Sequence, residues 1–204
     1  MESLASDQFG RERQYTQRFF NVVSIVYPII EWHLFPEYKT ILQHLDLPTH
    51  YSVLDIATGS GILAGAFAER GHAVTGIDFS RKLLKRAKKQ FPQVWFEQLD
   101  LIHLDQYADN HFDVISMGYF LHGLSVSFRH FILKEVRRIS KKYVLVFDYC
   151  CTGNWFIRLI EWLEGSNYPL FIALNKQNMF EQNGLQIVQD EQTSGFGQYW
   201  LLKP

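Results

Sequence analysis

Short apolar runs alternate with polar, periodic stretches along this chain, and their order predicts strands interleaved with helices. Val53, Leu54 and Ile56 form the first run, continuous as a parallel strand buried on both faces requires. After a turn through Ala57, Thr58, Gly59, Ser60 and Gly61, apolar residues from Ile62 to Ala68 come at helical density without proline, and Gly71 supplies a stop. Ala73, Val74, Gly76 and Ile77 make a second strand that ends on Asp78. A helix over 80–90 follows, with Ser80 as its N-cap and Leu83, Leu84 and Ala87 as its inward stripe. Further strands are predicted over 94–99, 112–118, 142–149, 185–189 and 199–202, and helices over 128–139, 155–163 and 168–183. Residues 11–47 read as two or three helical pieces broken near Pro28 and Pro36 and ending before Pro48.

The turn between the first strand and helix carries the chemistry. Glycines at 59 and 61 remove β-carbons where backbone must approach a bulky ligand, and the N–H groups opening the next helix are left to face it. Asp78 stands 17 positions beyond Gly61, placed to accept from two ribose hydroxyls at once. Asp55 separates the candidate ligands. A carboxylate at this strand end repels a pyrophosphate and suits a ligand with positive charge, such as the ammonium of an amino-acid moiety.

VLDIATGSG followed by GID resembles the cofactor loop and ribose-binding acid of the class I methyltransferases that use S-adenosylmethionine. The family pattern has Gly where this chain has Ala57, a departure of one methyl group. By that resemblance Asp55, Ala57, Thr58, Gly59, Ser60, Gly61 and Asp78 bind S-adenosylmethionine, and Phe79 flanks the adenine. Asp100 accepts from the exocyclic amine while Leu101 lines the ring, and Met117 and Gly118 lie against the methionine part. The loop after the fourth strand leads to the acceptor, so Tyr119 and His122 face it. His122, whose ordinary pKa is about 6.5, is the best-placed general base, with Asp148 as a second candidate.

The resemblance covers residues 51–202 and implies an α/β fold: a Rossmann-like three-layer sandwich on a seven-stranded, mostly parallel sheet. Its last strands are antiparallel, a C-terminal reversal that dehydrogenase folds lack. Residues 1–47 would form an N-terminal helical lid and 48–204 the methyltransferase domain, as one structural unit. Lid residues Tyr15 or Tyr27 would touch cofactor or substrate. Trp155, Trp162, Tyr168 and Phe171, in the insertion after the fifth strand, are candidate pocket residues.

Composition narrows the partners. A net charge of -1 over 204 residues gives no general attraction to phosphate backbones, and the basic run over 81–89 reads as a solvated helix face, so nucleic acid is not the expected partner. An aromatic share of 16% suits an apolar or planar small-molecule acceptor, or simply a full core. Cys150 and Cys151 are neighbours that rarely bridge each other, which points to a reducing, cytoplasmic setting. Residues 1–18 carry no apolar leader, and the run over 19–35 is too short and polar to span a bilayer of ~20 residues; membrane docking by its apolar face stays an alternative. The eight histidines are scattered without metal-ligand spacing. Two other classes remain open on these residues: a nicotinamide-dependent oxidoreductase and a non-catalytic relative that binds S-adenosylhomocysteine.

Overall fold

The computed structural model describes residues 27–153, 158, 162, 167–193 and 195–204, with 27–33 as backbone alone. The described elements run α1 (Tyr27–His44), β1 (Ser52–Ile56), α2 (Ile62–Glu69), β2 (Ala73–Asp78), α3 (Arg81–Gln90), β3 (Trp95–Gln98), a 3-10 turn (Leu101–Gln106), β4 (Phe112–Gly118), a second 3-10 turn (Leu121–Gly123), α4 (Val126–Ile139), β5 (Ser140–Tyr149), α5 (Tyr168–Ala173), α6 (Lys176–Glu181), β6 (Gln186–Gln192) and β7 (Gly197–Lys203).

Seven strands form one sheet in the order β3-β2-β1-β4-β5-β7-β6. β1 to β5 pair in parallel, while β7 runs antiparallel to both β5 and β6. The expected C-terminal reversal is therefore confined to β7; β6, opposed to β7, points the same way as β5. Reversing order at β1/β4 opens a crevice beyond the carboxyl ends of those two strands, where open α/β sheets bind ligands.

Strand residues alternate between two cores. Val53, Val114, Leu145, Phe147, Tyr199 and Leu201 pack on the face covered by α1, α2 and α3. Leu54, Ile56, Ile115, Met117, Val144, Val146, Trp200 and Leu202 pack on the other, with α4, α5 and α6. Because both faces of the central strands β1, β4 and β5 are covered, these read as apolar runs rather than as alternating ones.

Two expectations need correction. Pro36 does not break the N-terminal helix but lies inside the 18 residues of α1. A proline in a helix interior costs about 3 kcal/mol, and burying Tyr38, Leu42 and Leu45 in the core shared with α2 returns about 1.5–3 kcal/mol each. The Thr40 hydroxyl also donates to the Pro36 carbonyl at 3.0 Å. The helical region expected over 168–183 is split into α5 and α6, because Asn175 caps a new helix by accepting from the Asn178 N–H at 3.0 Å. The expected helix over 155–163 lies outside the described residues apart from positions 158 and 162.

Glycines in α2 and β2 are dictated by aromatic packing. A β-carbon on Gly65 would overlap the Phe91 ring, and one on Gly76 would come within 2.7 Å of the Phe96 ring. Gly65→Ala should therefore destabilise the protein by about 1–3 kcal/mol in urea titrations, although helix propensity alone predicts a gain of about 1 kcal/mol. Gly123→Ala, with nothing within 4 Å of its β-carbon, should stay within about 0.5 kcal/mol of wild type.

Candidate functional site

Asp55 ends β1 in a buried position, 1% exposed. Parallel register sets it beside Ser116 of β4, whose hydroxyl donates to one carboxylate oxygen at 2.6 Å. Thr58 donates to the other oxygen, also at 2.6 Å. Burial raises the Asp55 pKa to about 6, against the lowering pull of the Ser116 and Thr58 hydroxyls and the Ala64 N–H. Asp55 is thus not an acid at an open mouth, as the sequence suggested. It is an internal tie whose hydroxyl partners fasten the loop to β4.

From Asp55 the loop turns sharply. Ala57, Gly59 and Gly61 have φ of 51°, 56° and 81°, all in the left-handed region. Glycine takes that conformation without penalty, whereas Ala57 carries a cost of about 1–2 kcal/mol. The two glycines differ in what they face. A β-carbon on Gly59 meets nothing within 4 Å, while one on Gly61 would stand 2.6 Å from the Phe96 ring. Gly59 therefore borders open space, and Gly61 is small because Phe96 packs against it. Thr58 and Ser60 are buried.

Asp78 closes β2 at 4% exposure. One oxygen accepts from the Gly59 N–H at 2.9 Å and the other from the Ser80 N–H at 2.8 Å. Burial pushes its pKa up, opposed by those two N–H groups. Phe79 is half-buried, and its carbonyl takes a hydrogen bond from the Gln98 side chain at 3.0 Å. Asp100 caps the first 3-10 turn by accepting from the Ile102 N–H at 3.3 Å, with Leu101 buried behind it. Met117 is fully buried, and Gly118 is pinned from above, since a β-carbon there would lie 2.6 Å from the Tyr38 hydroxyl. Tyr38 stacks edge-on against Phe147 at 4.7 Å, and burial lifts its pKa well above the ordinary phenol value.

Past Gly118 the backbone is again left-handed at Tyr119, φ 50°. Its hydroxyl lies against Gly197 of β7, and its ring meets Tyr149 at 5.0 Å. His122 then folds back onto β5. Its Nδ1 lies 2.7 Å from one Asp148 oxygen, and its backbone N–H donates to the other at 3.1 Å. The Tyr149 N–H adds a third donor to that carboxylate at 2.8 Å. A carboxylate only accepts, so Nδ1 carries the imidazole proton and the basic lone pair belongs to Nε2. His122 is 6% exposed and Asp148 fully buried, and the rings of Tyr149, Tyr168 and Phe171 stand 4.8, 6.3 and 6.4 Å from the imidazole.

The structure thus brings His122 and Asp148 into one dyad and sets Tyr168 and Phe171 beside it. Trp162 instead faces outward, 73% exposed. Tyr15, Trp155 and the side chain of Tyr27 lie outside the described residues. Three contributors were missed in the sequence. Ser116 is a lone hydroxyl within the apolar run of β4, Tyr38 shares the buried stripe of α1 with Leu42 and Leu45, and Arg129 interrupts the inward stripe of α4 four residues before Leu133. Each is a polar group at an apolar position, which is the signal that would have found it.

Residues 53–143 match the family model described as a methyltransferase domain. A demethylmenaquinone methyltransferase of Bacillus cereus (strain AH187) is 28% identical, over 74% of this chain and 76% of its own length. A TehB-like SAM-dependent methyltransferase from Corynebacterium glutamicum shares the fold with a TM-score of 0.59 at 20% identity, covering 95% of this chain and 98% of that one. Magnesium protoporphyrin IX methyltransferase from Synechocystis, solved with bound SAH, does so with a TM-score of 0.63 at 14% identity, covering 100% of this chain and 99% of its own. A methyltransferase domain thus runs through the first four strands of this sheet, and the chain shares its fold with S-adenosylmethionine-dependent methyltransferases.

Proposed function

We propose that the protein transfers the methyl group of S-adenosylmethionine to a small-molecule acceptor whose proton His122 removes. The 2.7 Å contact between His122 Nδ1 and Asp148 carries this reading. An imidazole oriented by a buried carboxylate at the acceptor end of the sheet suits an acceptor with an acidic O–H or C–H, which must lose a proton as it gains the methyl group. Acceptors named for the similar proteins, demethylmenaquinone and magnesium protoporphyrin IX, support a small molecule. So does the net charge of -1, which offers nothing to a nucleic acid backbone.

The residues at the crevice fit the cofactor. Gly59 leaves open space where a side chain would stand. Each Asp78 oxygen takes one N–H and retains a second acceptor site for a ribose hydroxyl. In this reading the loop from Ala57 to Gly61 and Asp78 hold the amino-acid and ribose parts, and Phe79, Asp100 and Leu101 hold the adenine. Met117, Gly118 and Tyr38 bound the methionine side. Asp55 contributes negative charge behind the loop once it ionises. When bound, the cofactor supplies a methyl group already activated by its sulfonium.

What the chain must then do is align donor and acceptor and exclude water, and alignment alone is worth about 7–11 kcal/mol. His122 Nε2 accepts the acceptor's proton, while Asp148 fixes the tautomer and stabilises the imidazolium that results. Tyr149, Tyr168 and Phe171 wall the imidazole, and Tyr119, Tyr15 and Trp155 complete the acceptor contacts. The segment up to residue 47 acts as the lid, a role supported by Tyr38 reaching Gly118. No helix of the described residues is long and apolar enough to cross a membrane. We read the setting as cytoplasmic, in keeping with two free thiols at Cys150 and Cys151.

Calorimetric titration with S-adenosylhomocysteine tests the cradle. Each charge-assisted hydrogen bond to Asp78 is worth about 1.5–3 kcal/mol, and about 1.4 kcal/mol is tenfold in affinity. Asp78→Ala should therefore weaken binding at least tenfold, and equal affinity would remove Asp78 from the site.

For the base, radiolabelled cofactor is incubated with cell extract and the labelled chemical fraction is isolated as acceptor. His122→Gln should then bind S-adenosylhomocysteine like wild type yet transfer label about 100-fold or more slowly. Unchanged transfer removes the base assignment.

Asp55 predicts a pH signature. Its pKa is raised in the native state from 3.8 to about 6, so its protonated form stabilises the fold below about pH 4, and that contribution is lost as pH rises through 6. Asn mimics the protonated carboxyl at every pH. The melting temperature of Asp55→Asn relative to wild type should climb from pH 4 to 7 and then level; a flat difference would mean the carboxyl is not desolvated.

A further inference from the structure

We propose that Arg129, in α4, is a positioning residue for His122, holding closed the turn that presents the imidazole to the acceptor. This rests on the reading of His122 as the base. The turn is weak by itself. It is a three-residue 3-10 helix, Leu121–Gly123, closed by backbone hydrogen bonds of 3.3 Å from Gly123 to Phe120 and 3.2 Å from Leu124 to Leu121. It is also entered through the left-handed residue Tyr119. Asp148 holds the imidazole and the His122 N–H from β5, but the turn's own long hydrogen bonds hold its flanking carbonyls weakly.

Arg129 adds a second hold on the turn, from α4. Its Nε donates to the Leu121 carbonyl at 2.9 Å and its Nη2 to the Leu124 carbonyl at 2.7 Å, so one rigid guanidinium grips the turn on both sides of His122. The guanidinium carbon stands 4.9 Å from the centroid of the Phe171 ring, which itself flanks His122 at 6.4 Å. Arg129 is 2% exposed, and among the described residues no carboxylate forms an ion pair with it. Burying a cation without a paired anion is costly, and a turn that needed only closure has cheaper neutral solutions. The nearest use for the charge is Asp148: burial lowers the Arg129 pKa while the Asp148 charge raises it, so the two fields are coupled. Arg129 therefore clamps the turn and places a cation within the field of Asp148.

Several other groups bear on the imidazole, and any pH effect must be read against them. Asp148 and Tyr149 come from β5, and Tyr168 from α5. Lys176 opens α6 with its ammonium 4.2 Å from the Phe171 centroid, donating to the Phe171 and Leu174 carbonyls, and its charge couples to Asp148, Arg129 and Cys150. Tyr119 adds a phenol on the β4 side. None of these changes in the variants below.

The test compares Arg129→Gln, which keeps amide donors and loses the charge, with Arg129→Lys, which keeps the charge and loses the two-armed grip. His122 is identified in NMR titrations by the signal that His122→Gln removes, and S-adenosylhomocysteine binding is measured by calorimetry. Both variants should bind S-adenosylhomocysteine within about twofold of wild type. In Arg129→Gln the His122 pKa should rise by about one unit, tenfold in proton affinity, because a neighbouring cation has gone. In Arg129→Lys it should stay within a few tenths of a unit while kcat for label transfer falls about tenfold at unchanged KM for the cofactor. A His122 pKa and kcat that match wild type in the lysine variant, or in both, make Arg129 a core strut and overturn the proposal. If Arg129→Gln does not fold, the lysine variant alone decides. Loss of the base reading has its own signature, wild-type transfer by His122→Gln.

Discussion

A buried carboxylate at the end of β1 governs the arrangement of this molecule. Asp55 sits where two parallel strands diverge, and its oxygens draw in a hydroxyl from β4 and another from the loop that follows β1. The loop is thereby tied to the sheet at the point where it must bend through three left-handed residues. A second carboxylate, Asp78, receives the Gly59 N–H and so ties the far side of the same loop to β2. Donor groups of the loop are spent on two internal acids, so the protein's own hydrogen bonds hold its backbone in place.

Aromatic packing is the other half of that rigidity. Phe96 from β3 presses on Gly61 and Gly76, and Phe91 presses on Gly65, so the helix that opens the crevice is set directly onto its neighbours. On the same face of the sheet α1 packs on α2 and sends Tyr38 over Gly118. The surroundings of this tyrosine include the charges of both Asp55 and Asp148.

Much of this was legible in the sequence because parallel strands buried on both faces advertise themselves as apolar runs, and β4 (Phe112–Gly118) was read to the residue. The acids at the strand ends were legible too, since a charge that closes such a run stands out, although Asp55 proves to be an internal tie and Asp100 the cap of a turn. What escaped were contacts set by register and reach. No pattern along the chain says that Ser116 stands beside Asp55, 61 positions away, since that follows from strand order. The chain around Pro36 was misread because a local rule about proline was applied where burial of Tyr38 and Leu42 decides the outcome. The role of Gly61 was assigned to ligand approach because Phe96, its real neighbour, lies 35 residues further on. Arg129 was passed over since charged residues on helices are ordinarily solvated, and only the fold shows this one turned inward.

The dyad straddles a boundary in the chain. His122 falls within residues 53–143, the part matched by the methyltransferase domain, whereas Asp148, Tyr168, Phe171 and the Tyr38 that overhangs Gly118 all come from outside it. Under the proposed roles, changes in those flanking segments would alter the surroundings of the histidine while leaving the loop from Ala57 to Gly61 and its tie to Asp78 untouched.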